Sequence, residues 1–250
     1  GSFYWESHPN MGQAATLNKG WAMAKGEVLG YLSADDVLLP EGIEVLVNAL
    51  QESQGAVAVY GDFLLINEHG KNIGEVRCKA FDYARMISHL HCPIGPGALF
   101  RRELFDTAGG WNVRLRLVPD YDFWLRVGHF GSIIHVPFFV AQWRVHACSQ
   151  TNSCADRAQA DEVIDVMDWY YKDDRYAREA PVARNDAMAQ AYFFCAGKHI
   201  AAGRYAVAWK YIRCAWGLSH ASYCSMHVWR LVLGSFWKRV QILFHRVARG

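Results

Sequence analysis

Short apolar segments with the pattern of buried strands alternate with helical segments through about the first 150 residues of this chain. The first helical segment spans 12–26, where apolar residues recur at three- and four-residue steps, and a strand-like run at 27–32 follows directly. The other strand-like segments are 56–60, 62–66, 73–76, 98–100 and 133–140, and the other helical ones are 40–50, 81–90, 102–107 and 121–127. This alternation predicts an α/β domain built around a mostly parallel sheet.

Beyond about residue 153 the pattern changes, because only helical periodicity remains. Val163, Val166, Met167 and Tyr170 form one apolar stripe, and similar stripes continue along the following segments. We therefore predict two regions, an α/β domain over 1–152 and an all-helical region over 153–250.

The charges are balanced overall but unevenly distributed. The chain has 26 Lys and Arg against 24 Asp and Glu, which gives no reason to expect a nucleic-acid partner. No acidic residue follows Asp186, although lysines and arginines continue to the end. The segment 226–247 combines these cations with Trp229 and Trp237, among other aromatic residues. It is either a helix that lies on an anionic membrane surface or a packing helix with a solvated basic face.

The cysteines indicate a reducing compartment. Their number, seven, is odd, and their spacing does not repeat, which argues against a disulfide framework. His146, Cys148 and Cys154 lie close in sequence but lack the paired spacing of structural zinc sites. The sequence has no signal peptide and no apolar run of the ~20 residues that a membrane span needs. We expect a cytoplasmic protein, peripheral at the inner face of the membrane if the basic segment binds lipid.

The most informative polar feature is the pair Asp35-Asp36, which follows the strand-like run 27–32. Open α/β sheets bind ligands at the carboxyl ends of their strands. Carboxylate oxygens there suit Mg²⁺ or Mn²⁺, which would also neutralise a bound diphosphate. The alternative is that Asp35 caps a turn and Asp36 is solvated.

Several sequence blocks resemble the family 2 glycosyltransferases, which have the GT-A fold. The blocks are 13–20, 24–27, 32–36, 60–62, 100–102, 109–111, 120–126 and 144–146. They occur in the family's order over about residues 5–149, so the resemblance is specific for the superfamily but not for a substrate. It implies a GT-A-like, Rossmann-like domain that transfers a sugar from a nucleotide-diphosphate donor to a glycan or lipid-linked acceptor, as in the synthesis of cell-envelope polysaccharides.

The resemblance also implies roles for individual residues. The predicted divalent metal, Mn²⁺ or Mg²⁺, is held by Asp36 and His146. The predicted donor-binding residues are Asn18, Lys19, Asp35 and Arg144, and the predicted acceptor-side residues are Arg101, Trp111 and Asp122.

Asp120 is the predicted catalytic base. An inverting transfer needs a base that deprotonates the acceptor hydroxyl as it attacks the anomeric carbon. The motif Asp-Tyr-Asp-Phe-Trp-Leu-Arg at 120–126 carries that assignment. The alternative is that Asp120, which follows Pro119, is only a helix N-cap.

The chain also departs from the family pattern. Ser33 and Asn10 stand where family members often have acidic residues. The strand-helix-strand unit that binds the nucleoside base in the family is missing, so we expect an N-terminally truncated domain. An inactive binding module or fragment is therefore the alternative to an enzyme. A phosphoryl- or nucleotidyl-transfer enzyme is disfavoured, because the chain lacks a glycine-rich phosphate loop.

Overall fold

A computed structural model describes residues 4–146, 156–220, 234, 235 and 237. The strands are β1 (Val28–Gly30), β2 (Val37–Leu38), β3 (Ala56–Ile66), β4 (Asn72–Val76), β5 (Leu99–Arg101) and β6 (Ser132–Arg144). The helices up to β6 are α1 (Gln13–Met23), α2 (Gly42–Glu52), α3 (Tyr83–His89), α4 (Glu103–Thr107) and α5 (Pro119–Val127). They are followed by α6 (Arg157–Lys172), α7 (Asp174–Ala177), α8 (Arg184–Ala201) and α9 (Tyr205–Leu218).

The strands form a six-stranded mixed sheet. Its order is β1-β5-β3-β6-β2, and β4 pairs with β3 at one side. Within the described residues only the β3–β6 pairing is parallel, so the prediction of a mostly parallel sheet is wrong in this respect. Alternating strand and helix patterns favour parallel crossovers, but β5 enters antiparallel between β1 and β3. That pairing depends on contacts distant in sequence, which no local pattern records.

The strand β3 is longer than the sequence pattern predicts. The segments 56–60 and 62–66 join into one strand of 11 residues, and the predicted hairpin with β4 is present. The pairing of β3 with β6 shifts register around Asp62. Gly61 lies at this irregularity, and an added Cβ there would lie 2.7 Å from the carbonyl oxygen of Phe138. Glycine therefore permits the close approach of the two strands.

An aromatic cluster fills the space between one face of the sheet and the helices α1 and α5. Trp21, Phe100, Phe123 and Trp124 are all buried there. Their rings contact each other mainly edge to face, with centroids of Trp21 and Phe100 5.0 Å apart. Burial of such rings holds β5 and α5 in a fixed relation.

The helices after β6 pack on the same core. Val163 and Met167 of α6, together with Cys195 of α8, belong to the buried cluster that contains Trp21. Asp156 and Gln159 form a reciprocal capping box that starts α6. The predicted boundary at 152/153 lies outside the described residues and stays a prediction.

Two further predictions concern segments beyond the described part of the chain. Cys148 and Cys154 lie outside the described residues, as does most of the basic segment 226–247. None of the helices that the structure does describe is both long and apolar enough to cross a membrane.

Candidate active site

The acidic pair lies in a loop between β1 and β2, and the end of β6 holds this loop in place. The backbone N–H of Arg144 donates to Oδ1 of Asp36 at 2.9 Å, and Nε of Arg144 donates to the carbonyl oxygen of Asp35 at 2.8 Å. The pairing of β2 with β6 brings these segments together. The prediction that the acidic pair follows a strand is thus confirmed, since the pair follows β1.

Arg144 also contacts the turn between β3 and β4. Its Nη1 donates to the carbonyl oxygens of Asn67, at 2.9 Å, and Glu68, at 3.3 Å. Together with the bond to Asp35, these bonds join two loops to the end of β6 through one guanidinium. The contact of Arg144 with a donor phosphate stays a prediction.

His146 lies beside the same loop. Its Nε2 is 3.0 Å from Oδ2 of Asp35, whose side chain is 42% exposed. The structure therefore brings the pair Asp35 and Asp36 together with Arg144 and His146, which lie more than 100 residues later in the sequence.

Asp36 is held in an unfavourable environment for a carboxylate. Burial raises its pKa, and the negative charge of Asp35 acts in the same direction, while the backbone N–H of Arg144 opposes them. A bound cation would offset both the burial and the repulsion. In the described part of the chain, however, no three carboxylate, imidazole or thiolate groups are arranged to hold a metal.

Asp120 lies in the first turn of α5 and is partly buried. The N-cap of α5 is Val118, so the alternative prediction that Asp120 is the N-cap is wrong. Oδ1 of Asp120 accepts a hydrogen bond of 2.8 Å from the backbone N–H of Tyr121. Burial raises the pKa of Asp120, which such backbone bonds only partly offset.

The phenol of Tyr31 is influenced by both acidic groups. Burial raises the pKa of Tyr31, and the charges of Asp120 and Asp36 add to this effect. Both carboxylates therefore lie within electrostatic reach of the same phenol. Trp21 contacts both Tyr31 and Phe123 of α5, with ring centroids 6.4 and 5.3 Å away, so the acidic loop and α5 lie beside one region of the molecule.

Trp111 lies against Tyr31, with ring centroids 5.0 Å apart. Its side chain is buried, and its indole N–H has no hydrogen-bond partner in the part of the chain that the structure describes. An unpartnered buried donor is unfavourable unless water or a ligand accepts from it. Trp111 thus places a buried donor beside Tyr31.

Asn18 fixes the loop that carries Trp111. Its Oδ1 accepts from the backbone N–H of Trp111, and its Nδ2 donates to the carbonyl oxygen of the same residue, both at 2.8 Å. Gly110 allows this contact, since an added Cβ would lie 2.2 Å from Oδ1 of Asn18. Asn18 therefore acts on the site through Trp111, and its predicted contact with the donor stays a prediction.

Replacing Asn18 with Asp should lower the free energy of unfolding by about 1–3 kcal/mol, because the new oxygen cannot donate to the carbonyl of Trp111. Chemical denaturation would measure this change. Thr16→Ala on the same helix is a suitable control, since Thr16 is exposed. Equal stabilities of the Asn18→Asp variant and the wild type would contradict the role of Asn18 in holding the loop.

Asp122 and Arg126 hold the other side of this loop. Oδ2 of Asp122 accepts from Nη2 of Arg126 at 2.7 Å, and the carboxylate is buried. The guanidinium of Arg126 also donates to the carbonyl oxygens of Ala108 and Gly110. Asp122 is therefore paired within the fold, and its acceptor-side role stays a prediction.

Two other predicted site residues have different surroundings. Lys19 forms an exposed ion pair with Glu6. Arg101 donates to the carbonyl oxygens of Leu50, at 2.9 Å, and Ala56, at 2.8 Å. It pairs with Val28, at the end of β1 opposite the acidic loop. The structure does not bring Arg101 together with Asp36 and Asp120.

Glu162 of α6 supports the site, although the sequence analysis did not single it out. Its buried carboxylate accepts from the backbone N–H groups of Arg116, at 2.8 Å, Leu117, at 2.6 Å, and Val118, at 3.1 Å. These residues immediately precede α5. An acidic residue on the apolar stripe of a helix was the only signal available in the sequence.

Comparison with known proteins shows which family the chain resembles. Residues 3–109 match the sequence profile described as "Glycosyl transferase family 2". This matched part, under half of the chain, is similar to glycosyltransferase family 2. An uncharacterized glycosyltransferase of Rickettsia prowazekii is 28% identical over 170 residues, which cover 65% of this chain and 53% of that protein. An uncharacterized glycosyltransferase of Methanocaldococcus jannaschii is 22% identical over 120 residues, covering 47% and 41%.

The fold is shared with solved glycosyltransferase structures. TarS of S. aureus, in a structure with UDP-GlcNAc, aligns with a TM-score of 0.56 and 11% identity, covering 90% of this chain and 70% of that one. The predicted α/β, GT-A-like fold class with a helical C-terminal region is confirmed. The chain spans about half the length of the two relatives named above.

Proposed function

We propose that the chain forms the catalytic part of an inverting glycosyltransferase that moves a sugar from a nucleotide-diphosphate donor to a hydroxyl group. The observation that carries the proposal is that Tyr31, which precedes the acidic pair, and Phe123 of the Asp120 helix pack on the same Trp21 ring, with centroids 6.4 and 5.3 Å away. Two carboxylates in one region can have separate roles. One acts at the leaving diphosphate, and the other acts at the attacking hydroxyl. The UDP-GlcNAc bound to TarS supports a nucleotide sugar as the donor class.

In this mechanism Asp120 accepts the proton of the acceptor hydroxyl while its oxygen attacks the anomeric carbon. The bond from that carbon to the diphosphate breaks on the opposite face. A raised pKa makes Asp120 a stronger base than an ordinary aspartate, provided that it is ionised. Trp111, whose buried indole packs on Tyr31, supports the wall of this region.

The residues of the acidic loop fit a divalent cation in part. Asp35, Asp36 and His146 supply oxygen and nitrogen donors, and burial together with the charge of Asp35 raises the pKa of Asp36. A bound Mg²⁺ or Mn²⁺ would neutralise the negative charge of the leaving diphosphate. Water and the donor phosphates would supply the remaining ligands, as is usual for Mg²⁺.

Replacing Asp36 with Asn should weaken metal-dependent binding of a nucleotide-sugar donor by about tenfold or more, because a charged ligand is lost. Calorimetric titration of UDP and GDP sugars, with and without Mn²⁺, would measure the effect. Asp174→Asn, on the exposed start of α7, is the matched control. Donor binding that is independent of both metal and Asp36 would count against the metal, and an absence of any transfer or donor hydrolysis would favour an inactive binding module.

A further inference from the structure

A groove lined by both charged and apolar residues lies beside α3, outside the acidic loop. Its volume is about 530 Å³, and it is open to solvent. It is lined by Lys79, Ala80, Phe81, Asp82, Arg85, His91 and Pro93. The predicted site residues do not include any of these side chains.

The groove carries uncompensated positive charge. Lys79 and Arg85 are exposed, and neither forms an ion pair with any carboxylate in the described ranges 4–146 and 156–220. Asp82 is the only acidic residue of the lining, and its Oδ1 accepts from the backbone N–H of Arg85. Two cations facing one carboxylate make the groove suited to an anion.

The groove adjoins the helix that carries the proposed base. The hydroxyl of Tyr121, next to Asp120 in α5, donates to the carbonyl oxygen of Met86 in α3 at 2.8 Å. Cys92, which lies between His91 and Pro93 of the groove wall, is close enough for the charge of Asp120 to raise its pKa further, after burial. The wall of the groove and the first turn of α5 are therefore neighbouring segments.

We infer that this groove binds a phosphate group of the acceptor, so that the acceptor is an anionic molecule. The inference rests on the proposed function, since it assigns the groove to the substrate that Asp120 deprotonates. The donor diphosphate is the other anion of the reaction, but its proposed site is the acidic loop with Arg144 and His146. The two anions would thus occupy separate sites.

The test compares binding of inorganic pyrophosphate in metal-free buffer to four proteins. They are the wild type, Lys79→Ala/Arg85→Ala, Asp36→Asn, and the control Lys25→Ala/Lys210→Ala, which removes two exposed cations outside the groove. The groove variant should bind pyrophosphate roughly tenfold more weakly, while the other variants should bind like the wild type. Unchanged binding by the groove variant, or binding that is lost only in Asp36→Asn, would overturn the inference.

Two larger probes identify the source of the phosphate. Phosphatidylcholine vesicles carrying a polyprenyl diphosphate represent a lipid-linked acceptor, and soluble poly(glycerol phosphate) represents a phosphodiester polymer. The probe that loses affinity for the groove variant is the one that the groove recognises, and retention of both would contradict a phosphate site. Metal-dependent hydrolysis of the donor, which needs no acceptor, should persist in the groove variant. Its absence from the wild type would instead count against the proposed function.

Discussion

Replacement of Asp120 with asparagine should reduce the rate of sugar transfer by about two to four orders of magnitude, as expected when a general base is lost. Asparagine preserves the shape of the side chain but cannot take up the proton of the acceptor hydroxyl. Donor binding should be unchanged, because the acidic loop is intact. Initial rates with saturating donor, together with titration of the donor, would separate the two effects.

The same substitution should leave the protein at least as stable as the wild type at neutral pH. Burial raises the pKa of Asp120 in the folded state above its ordinary value of 3.8. Between the ordinary and the raised pKa the folded protein binds more protons than the unfolded one, so stability falls as pH rises through this interval. Asparagine removes this dependence, and the advantage of the variant should disappear below the ordinary pKa.

The pH dependence of the wild-type reaction follows from the same carboxyl. The base must be ionised, so transfer should fall on the acid side of the rate profile at a pH above the ordinary range of aspartate. A variant Asp120→Asn that retains wild-type transfer, or an acid limb at the ordinary pKa, would exclude Asp120 as the base.

The largest effect on folding is expected for Glu162→Ala. Three backbone N–H groups before α5 would lose their acceptor in a buried position, which should lower the free energy of unfolding by about 3–5 kcal/mol. Denaturant unfolding at neutral pH would measure the change. Glu179→Ala, at an exposed position in the same region, should change stability by less than about 0.5 kcal/mol.

Activity distinguishes a local from a global effect of this glutamate. The loop that Glu162 holds leads directly into Asp120. In Glu162→Gln, which keeps the size of the side chain, transfer should therefore fall more than donor binding does. Equal losses in both would indicate general destabilisation instead.

Local sequence patterns located the acidic groups correctly because each depends on its own element. Asp35 and Asp36 follow a short strand, and Asp120 lies at the start of a helix, as strand and helix patterns predicted. The α/β class followed from the same alternation. What these patterns could not supply is the partner of each side chain.

The differences all involve contacts between distant segments. Asn18 and Trp111 are 93 positions apart, and Glu162 acts on residues 44–46 positions away. The antiparallel insertion of β5 likewise depends on which strands the folded chain brings together. A resemblance between motifs transfers a residue's usual role but not the hydrogen bonds that it forms in this chain, as Arg101 illustrates.

The shared core also limits how this chain can be divided or recombined. Met167 and Cys195 pack in the same cluster as Trp21, and the hydroxyl of Tyr170 lies 2.8 Å from that of Tyr83. A chimaera that took its helices from a relative would have to import matching neighbours for α1, α3 and α5 as well. Changes that adapt the helical region to a new acceptor must therefore be accompanied by compensating changes under the proposed catalytic helix.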